Sequence, residues 1–125
     1  MNILIVIFSA LVALEFLFIM YLETFATTSS RTAETFSMSK DALKKDEVNL
    51  LLKNQGIYNG LIGVGILYLL IFTQNYSNTL FAIMLYIVLV ALYGSFSSGN
   101  KSIFFKQGTL AVIVLVLLLA QMILG

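Results

Sequence analysis

Two glutamates, Glu15 and Glu23, stand inside a largely apolar run that reaches from Ile3 to Phe25. A carboxyl in that setting can hold a cation, pass a proton or accept hydrogen bonds. Each use needs the group turned toward a cavity or a partner rather than toward lipid. The setting is costly: an ionisable side chain at the bilayer centre costs at least ~2.5 kcal/mol on insertion scales. Glu15 lies in the middle of the run and is the sharper candidate, because a carboxyl that deep is a poor choice for simply joining helices. A second polar set is Lys53-Asn54-Gln55-Gly56-Ile57-Tyr58-Asn59-Gly60. On a helix, Asn54, Gln55, Tyr58 and Asn59 fall within an arc of about 140°, and Gly56, Gly60 and Gly63 within an adjoining arc of about 60°. One side of this helix offers amides and a phenol. The neighbouring side offers glycines, which let another helix approach closely.

Much chemistry is excluded by what the chain lacks. It has no Cys, His, Trp or Pro. Thiolate nucleophiles, disulfides and thiolate metal sites are therefore impossible. The usual general base and the commonest transition-metal ligand are also missing, and no metal-ligating motif is present. Acid–base work would fall to Glu15 or Glu23 with Tyr58 as a proton donor and the amides orienting a substrate. Any chemistry would have to use Glu, Asp, Lys, Tyr or a bound cofactor, whose identity these residues leave unknown. A net charge of +1 spread over 125 residues gives no clustered basic face for nucleic acid.

The elements that must position these groups follow from hydropathy. The chain is 60% hydrophobic and 10% charged, against about 25% charged residues in soluble domains. Four apolar runs stand out, at about 2–25, 49–72, 80–96 and 103–124. About 20 residues of helix cross the ~30 Å hydrocarbon core, and runs of this length in lipid must be helices. The expected fold is all-α: one domain over residues 1–125, built as a bundle of four transmembrane helices in the cell membrane. The first run lacks a basic leader and a small-residue cleavage site, so it reads as a retained span.

All seven basic residues, Arg31, Lys40, Lys44, Lys45, Lys53, Lys101 and Lys106, lie in or beside the first and third connections. The positive-inside rule then places those connections in the cytoplasm and both termini outside. The first connection should be partly helical. Ser37 or Ser39 can cap a helix, and Phe36, Leu43 and Leu50 recur at sevenfold spacing. That pattern suits either an interfacial helix or an extension of the second span.

Depth brings the polar groups toward one level. Measured from Phe25 and Asn49, Glu15 and Asn59 each lie about 15 Å in, with Glu23, Asn54, Gln55 and Gln107 at roughly 3–9 Å. Glu15 and Glu23 differ by only about 80° around a regular helix. The expected assembly is a polar pocket in the cytoplasmic half, with Glu15 at its floor meeting Asn59, and Glu23, Lys53 and Gln107 near its mouth. Tyr86 and Tyr93 could form an aromatic wall. Each part also has a plainer reading. Glu23 can be interfacial and paired with Lys53, the amides can act as interhelical glue, and the tyrosines can be interfacial anchors.

Ala13-Leu14-Glu15 with Glu23, then Asn54-Gln55-Gly56-Ile57-Tyr58-Asn59-Gly60, resembles a family of small bacterial membrane proteins, domain of unknown function 1304. Gly94 and Gln107 fit the same pattern. The resemblance covers nearly the whole chain and implies a four-span membrane protein without implying an activity. A residue other than proline follows Gln107, where relatives often have proline. A weaker likeness is to the membrane-associated eicosanoid and glutathione metabolism proteins, through Asn54-Gln55 and Asn59. It implies a trimer with ligand between subunits. The arginines that grip glutathione there have no counterpart here, and Asn59 stands where those proteins have an acid.

Three functions compete. The first is binding or transport of a small amphipathic or cationic ligand by Glu15, Glu23, Asn54, Gln55, Tyr58, Asn59 and Gln107. The second is a membrane enzyme acting on a lipophilic substrate. The third is a structural or accessory membrane protein. Four short helices enclose little volume, so a transport path would run between subunits of a homo-oligomer, a dimer or trimer.

Overall fold

The computed structural model describes residues 2–125, all-helical and without a strand among them. Helix α1 spans Ile3–Met20 and continues as a π-helical turn over Tyr21–Phe25. Two short helices follow, α2 over Ser30–Phe36 and α3 over Lys40–Lys44. Three long helices complete the chain: α4 over Asp46–Phe72, α5 over Ser77–Ser98 and α6 over Lys101–Leu124. Four segments, Ile3–Phe25, Asp46–Phe72, Ser77–Ser98 and Lys101–Leu124, are long and apolar enough to cross a membrane. The shortest of them has 22 residues, about 33 Å of helix, which matches the hydrocarbon thickness.

Side chains punctuate these helices. The Asn2 carboxamide oxygen accepts from Leu4 N at 2.9 Å and starts α1. Ser29 and Ser39 cap α2 and α3, accepting from Thr32 N and Ala42 N, and Asn100 caps α6 by accepting from Ser102 N. Each supplies an acceptor to an end N–H that lacks an intrahelical partner. Ser37 ends α2 at φ +54°, and Gly99 ends α5 at φ +73°. The glycine carries no Cβ penalty in that left-handed region. Ser39 thus plays the cap role expected of one of the two serines. The span extension and the separate short helices both occur, since α4 begins at Asp46 while α2 and α3 precede it. Leu43 is buried, Leu50 is exposed and Phe36 is intermediate, so the sevenfold pattern does not define one interfacial face.

The chain divides into two compact units, Leu14–Val64 and the remainder, Gly65–Gly125 with the residues up to Ala13. In the second of these, α5 and α6 form an antiparallel hairpin. Leu80, Met84, Ile87 and Ala91 on α5 and Gly108, Ala111, Val114 and Leu118 on α6 are its buried rows. Both rows follow the three-and-four spacing of one helical face. The ends are pinned by polar contacts: Ser95 Oγ accepts from Phe104 N at 2.8 Å, and Gln121 Nε2 donates to Ser77 Oγ at 3.2 Å. The unit Leu14–Val64 carries the acidic and amide residues.

Candidate functional site

The site begins with two glycines. Gly56 and Gly60 on α4 are buried and face the end of α1. A Cβ on Gly56 would strike Thr24 Oγ1 and lie 3.1 Å from Thr24 N, and one on Gly60 would strike Met20 Sδ. Only a residue without Cβ permits backbones this close, as in small-xxx-small helix contacts. The approach lets Thr24 Oγ1 donate to the Lys53 carbonyl at 2.9 Å, a side-chain bond between the two helices.

The same approach brings Glu23 to the amides. Gln55 Nε2 donates to Glu23 Oε2 at 2.9 Å, and Asn59 Nδ2 donates to Glu23 Oε1 at 2.6 Å. Glu23 is wholly buried, at 0% exposure. Both of its oxygens are thus occupied by amide donors four residues apart on one face of α4. This differs from two expectations. The carboxyl that meets Asn59 is Glu23 rather than Glu15, and Glu23 is gripped by amides instead of pairing with Lys53, whose side chain is exposed.

The physical reason lies in the levels of the two helices: Gly56 packs on Glu23 and Thr24 and Gly60 on Met20, so Asn59 stands beside the end of α1, while Glu15 lies more than a turn deeper. A π turn shapes that end. Ala26 N donates to Tyr21 O at 2.9 Å, five residues back, so the helix widens where a regular one would continue. A wider turn advances each residue by less than the 100° of a uniform α-helix, which keeps Glu23 on the α4-facing side. π turns of this kind recur at functional sites. The carbonyls at the helix end receive threonine hydroxyls. Thr27 Oγ1 donates to Glu23 O at 2.6 Å, and buried Thr32 Oγ1 lies 3.0 Å from Leu22 O and 2.6 Å from Ala26 O. Threonines on the first connection therefore hold the turn that presents Glu23.

Glu15 has a different environment. It lies eight residues earlier on α1, about 12 Å along the axis, and its Oε1 is buried without a hydrogen-bond partner. Buried polar atoms nearly always have partners, so an orphaned carboxyl oxygen calls for an explanation. The remaining expected residues are dispersed. Asn54 and Tyr58 are exposed on α4. Gln107 is half-buried near the start of α6 in the other unit. Tyr86 and Tyr93 are exposed on α5, at 55% and 70%. No group of three or more acidic residues that could hold a metal ion occurs among the described residues.

A family model described as "Protein of unknown function (DUF1304)" matches residues 10–119. The chain belongs to that family. The match takes in both glutamates, the π turn and the whole amide run. One relative is an uncharacterized protein, YpaA, of Lactococcus lactis subsp. lactis (strain IL1403). It is 52% identical over 116 residues, covering 93% of this chain and 97% of the relative. No solved structure matches the chain, and the likeness to the eicosanoid and glutathione proteins rests on the residues alone.

Two contributors to this arrangement are not legible in the residues: the π turn and Thr32. A lone π turn has no compositional signature, since Tyr21–Phe25 reads as ordinary apolar helix. The threonines at Thr24, Thr27 and Thr32, clustered at the end of an apolar span, were the available signal. Threonine hydroxyls bond nearby backbone carbonyls, which favours them at irregular helix ends.

Proposed function

We propose that this DUF1304 protein is a membrane binding or transport module for a small amphipathic cation, with Glu15 as counter-charge and proton site. The observation that carries this reading is the contrast between the two carboxyls. Glu23 has both oxygens occupied within the chain, whereas Glu15 Oε1 is buried and unpaired. Leaving a polar group unpaired in an apolar medium costs roughly 2–7 kcal/mol. A group kept in that state is one whose partner comes from outside the chain.

In this reading the Glu23–Gln55–Asn59 cluster is architecture. It fixes the register of α1 against α4 and so sets where Glu15 stands. Asn54 and Tyr58, exposed on the same helix, are the polar groups that would meet a ligand arriving along α4. The basic residues support an orientation with both termini outside, since Lys40, Lys44 and Lys45 lie on or next to α3 and Lys101 and Lys106 on the first turns of α6. The connection between α4 and α5 has no basic residue. A path for the ligand would run between copies of the chain in a homo-oligomer, a dimer or trimer.

The test uses tetraphenylphosphonium as the probe, a lipophilic cation, with the purified protein in phosphatidylcholine vesicles. Saturable binding to the wild type and at least about a tenfold loss in Glu15→Gln are expected, the change of about 1.4 kcal/mol that one lost charge contact brings. Equal binding by wild type and Glu15→Gln, or none by either, removes the proposal.

A further inference from the structure

Arg31 is a basic side chain that lies back along α1. It sits in the first turn of α2, and its guanidinium carbon stands 5.7 Å from the centroid of the Phe18 ring. Phe18 in turn stacks with Tyr21 at 6.4 Å between centroids. Phe18 is seven residues before Phe25, about 10 Å along the helix, so the guanidinium reaches toward the membrane instead of out into water. Thr32 explains how. Its buried hydroxyl reaches the Leu22 and Ala26 carbonyls, which pins the start of α2 against the π turn and so sets Arg31, the residue before it, beside α1.

A guanidinium presents five N–H donors in a planar fork that matches phosphate geometry. Here the ring face satisfies part of its charge, but among the described residues no hydrogen bond or ion pair engages its donors. Glu34, one turn along α2, is exposed. Below the guanidinium runs an exposed apolar stripe. Leu14, Phe18, Tyr21 and Phe25 are 57%, 45%, 53% and 72% exposed, and their spacing of four, three and four keeps them on one face. A cation with unmet donors above an apolar stripe about 16 Å long has the shape and chemistry of a phospholipid: phosphate above, acyl chain below.

We propose that Arg31, held over Phe18, and the stripe Leu14–Phe18–Tyr21–Phe25 seat one anionic phospholipid from the leaflet that borders the first connection. The guanidinium takes the phosphate, and the stripe packs the upper part of one acyl chain. The site is separate from Glu15 and does not depend on it.

The experiment is electron spin resonance of the full-length protein in phosphatidylcholine vesicles, comparing spin-labelled phosphatidylglycerol with spin-labelled phosphatidylcholine in the motionally restricted fraction. A preference for phosphatidylglycerol is expected in the wild type. Arg31→Gln should lower that preference about fivefold, the effect of about 1 kcal/mol per basic residue near an anionic lipid. Lys44→Gln makes the same change of charge on α3, away from the stripe, and should leave the preference within about twofold. Thr32→Val, which frees α2, should lower it with the arginine intact. Equal losses in Arg31→Gln and Lys44→Gln would assign the effect to general surface charge and overturn the seat. An unchanged preference in Arg31→Gln would overturn it as well.

Discussion

Replacing Gly56 by alanine should open the contact between α1 and α4, and the size of the effect can be worked from the neighbours of the missing Cβ. The new methyl would collide with Thr24 Oγ1 and press on the Thr24 backbone nitrogen at 3.1 Å. The hydroxyl is committed to the Lys53 carbonyl at 2.9 Å, and a backbone atom cannot rotate aside. Overpacking of this kind costs about 1–3 kcal/mol, and losing the threonine bond adds about 1 kcal/mol. Alanine returns about 1 kcal/mol through its better helix propensity. The net expectation is a destabilisation of about 2 kcal/mol. Gly60→Ala is the internal comparison. There the methyl meets Met20, whose Sδ and Cγ can change rotamer, with Cβ left to give by a few tenths of an ångström. Its cost and the propensity gain should nearly cancel, leaving it within about 1 kcal/mol of wild type. The chain has no cysteine, so fluorophores on Thr28→Cys and Lys53→Cys report on this helix pair alone. Equilibrium unfolding in mixed dodecylmaltoside and dodecyl sulfate micelles then gives both values. A Gly56→Ala protein as stable as Gly60→Ala would refute the close-approach argument.

The other expectations concern the groups around that contact. Asn59→Leu should cost more than Gln55→Leu, about 1.5 against about 0.6 kcal/mol. Asn59 makes the shorter bond and is half-buried, whereas Gln55 is exposed; the same unfolding assay decides, and the reverse order contradicts the assignment. Thr32→Val should leave the Leu22 and Ala26 carbonyls short of a donor, at about 1 kcal/mol. Hydrogen exchange over residues 22–33 should quicken, and unchanged exchange would show that the hydroxyl does not hold the turn. In sealed cells, a membrane-impermeant maleimide should label Asn75→Cys at once and Lys45→Cys only after permeabilisation. Labelling in the opposite order would invert the proposed orientation.

The spans were legible because bilayer thickness and backbone satisfaction leave so few choices. The apolar runs gave each long helix to within three residues of its observed ends, and the extra turns, such as Asp46–Val48 on α4, carry polar residues outside the apolar window. The glycine face was legible too, because Gly56 and Gly60 lie four apart on a regular helix. The partner of the amides was not. Reasoning from depth placed Asn59 level with Glu15, on the assumption that Phe25 and Asn49 mark the same level. Instead Lys53 and Gly56 lie beside Thr24 and Gly60 beside Met20, so α4 runs past the end of α1 and Glu23 meets Gln55 and Asn59. Arg31 was read only as a topology determinant, since nothing in its neighbours along the chain reveals that Thr32 folds it back onto Phe18.

The division of labour between the two carboxyls can be read directly with dicyclohexylcarbodiimide, an apolar reagent that adds to carboxyl groups reached from within the membrane. The protein in vesicles is treated, digested and analysed by mass spectrometry. The adduct is expected on Glu15, reduced by tetraphenylphosphonium, with Glu23 protected by its burial and its two amides. An adduct on Glu23 with Glu15 unmodified would contradict the account.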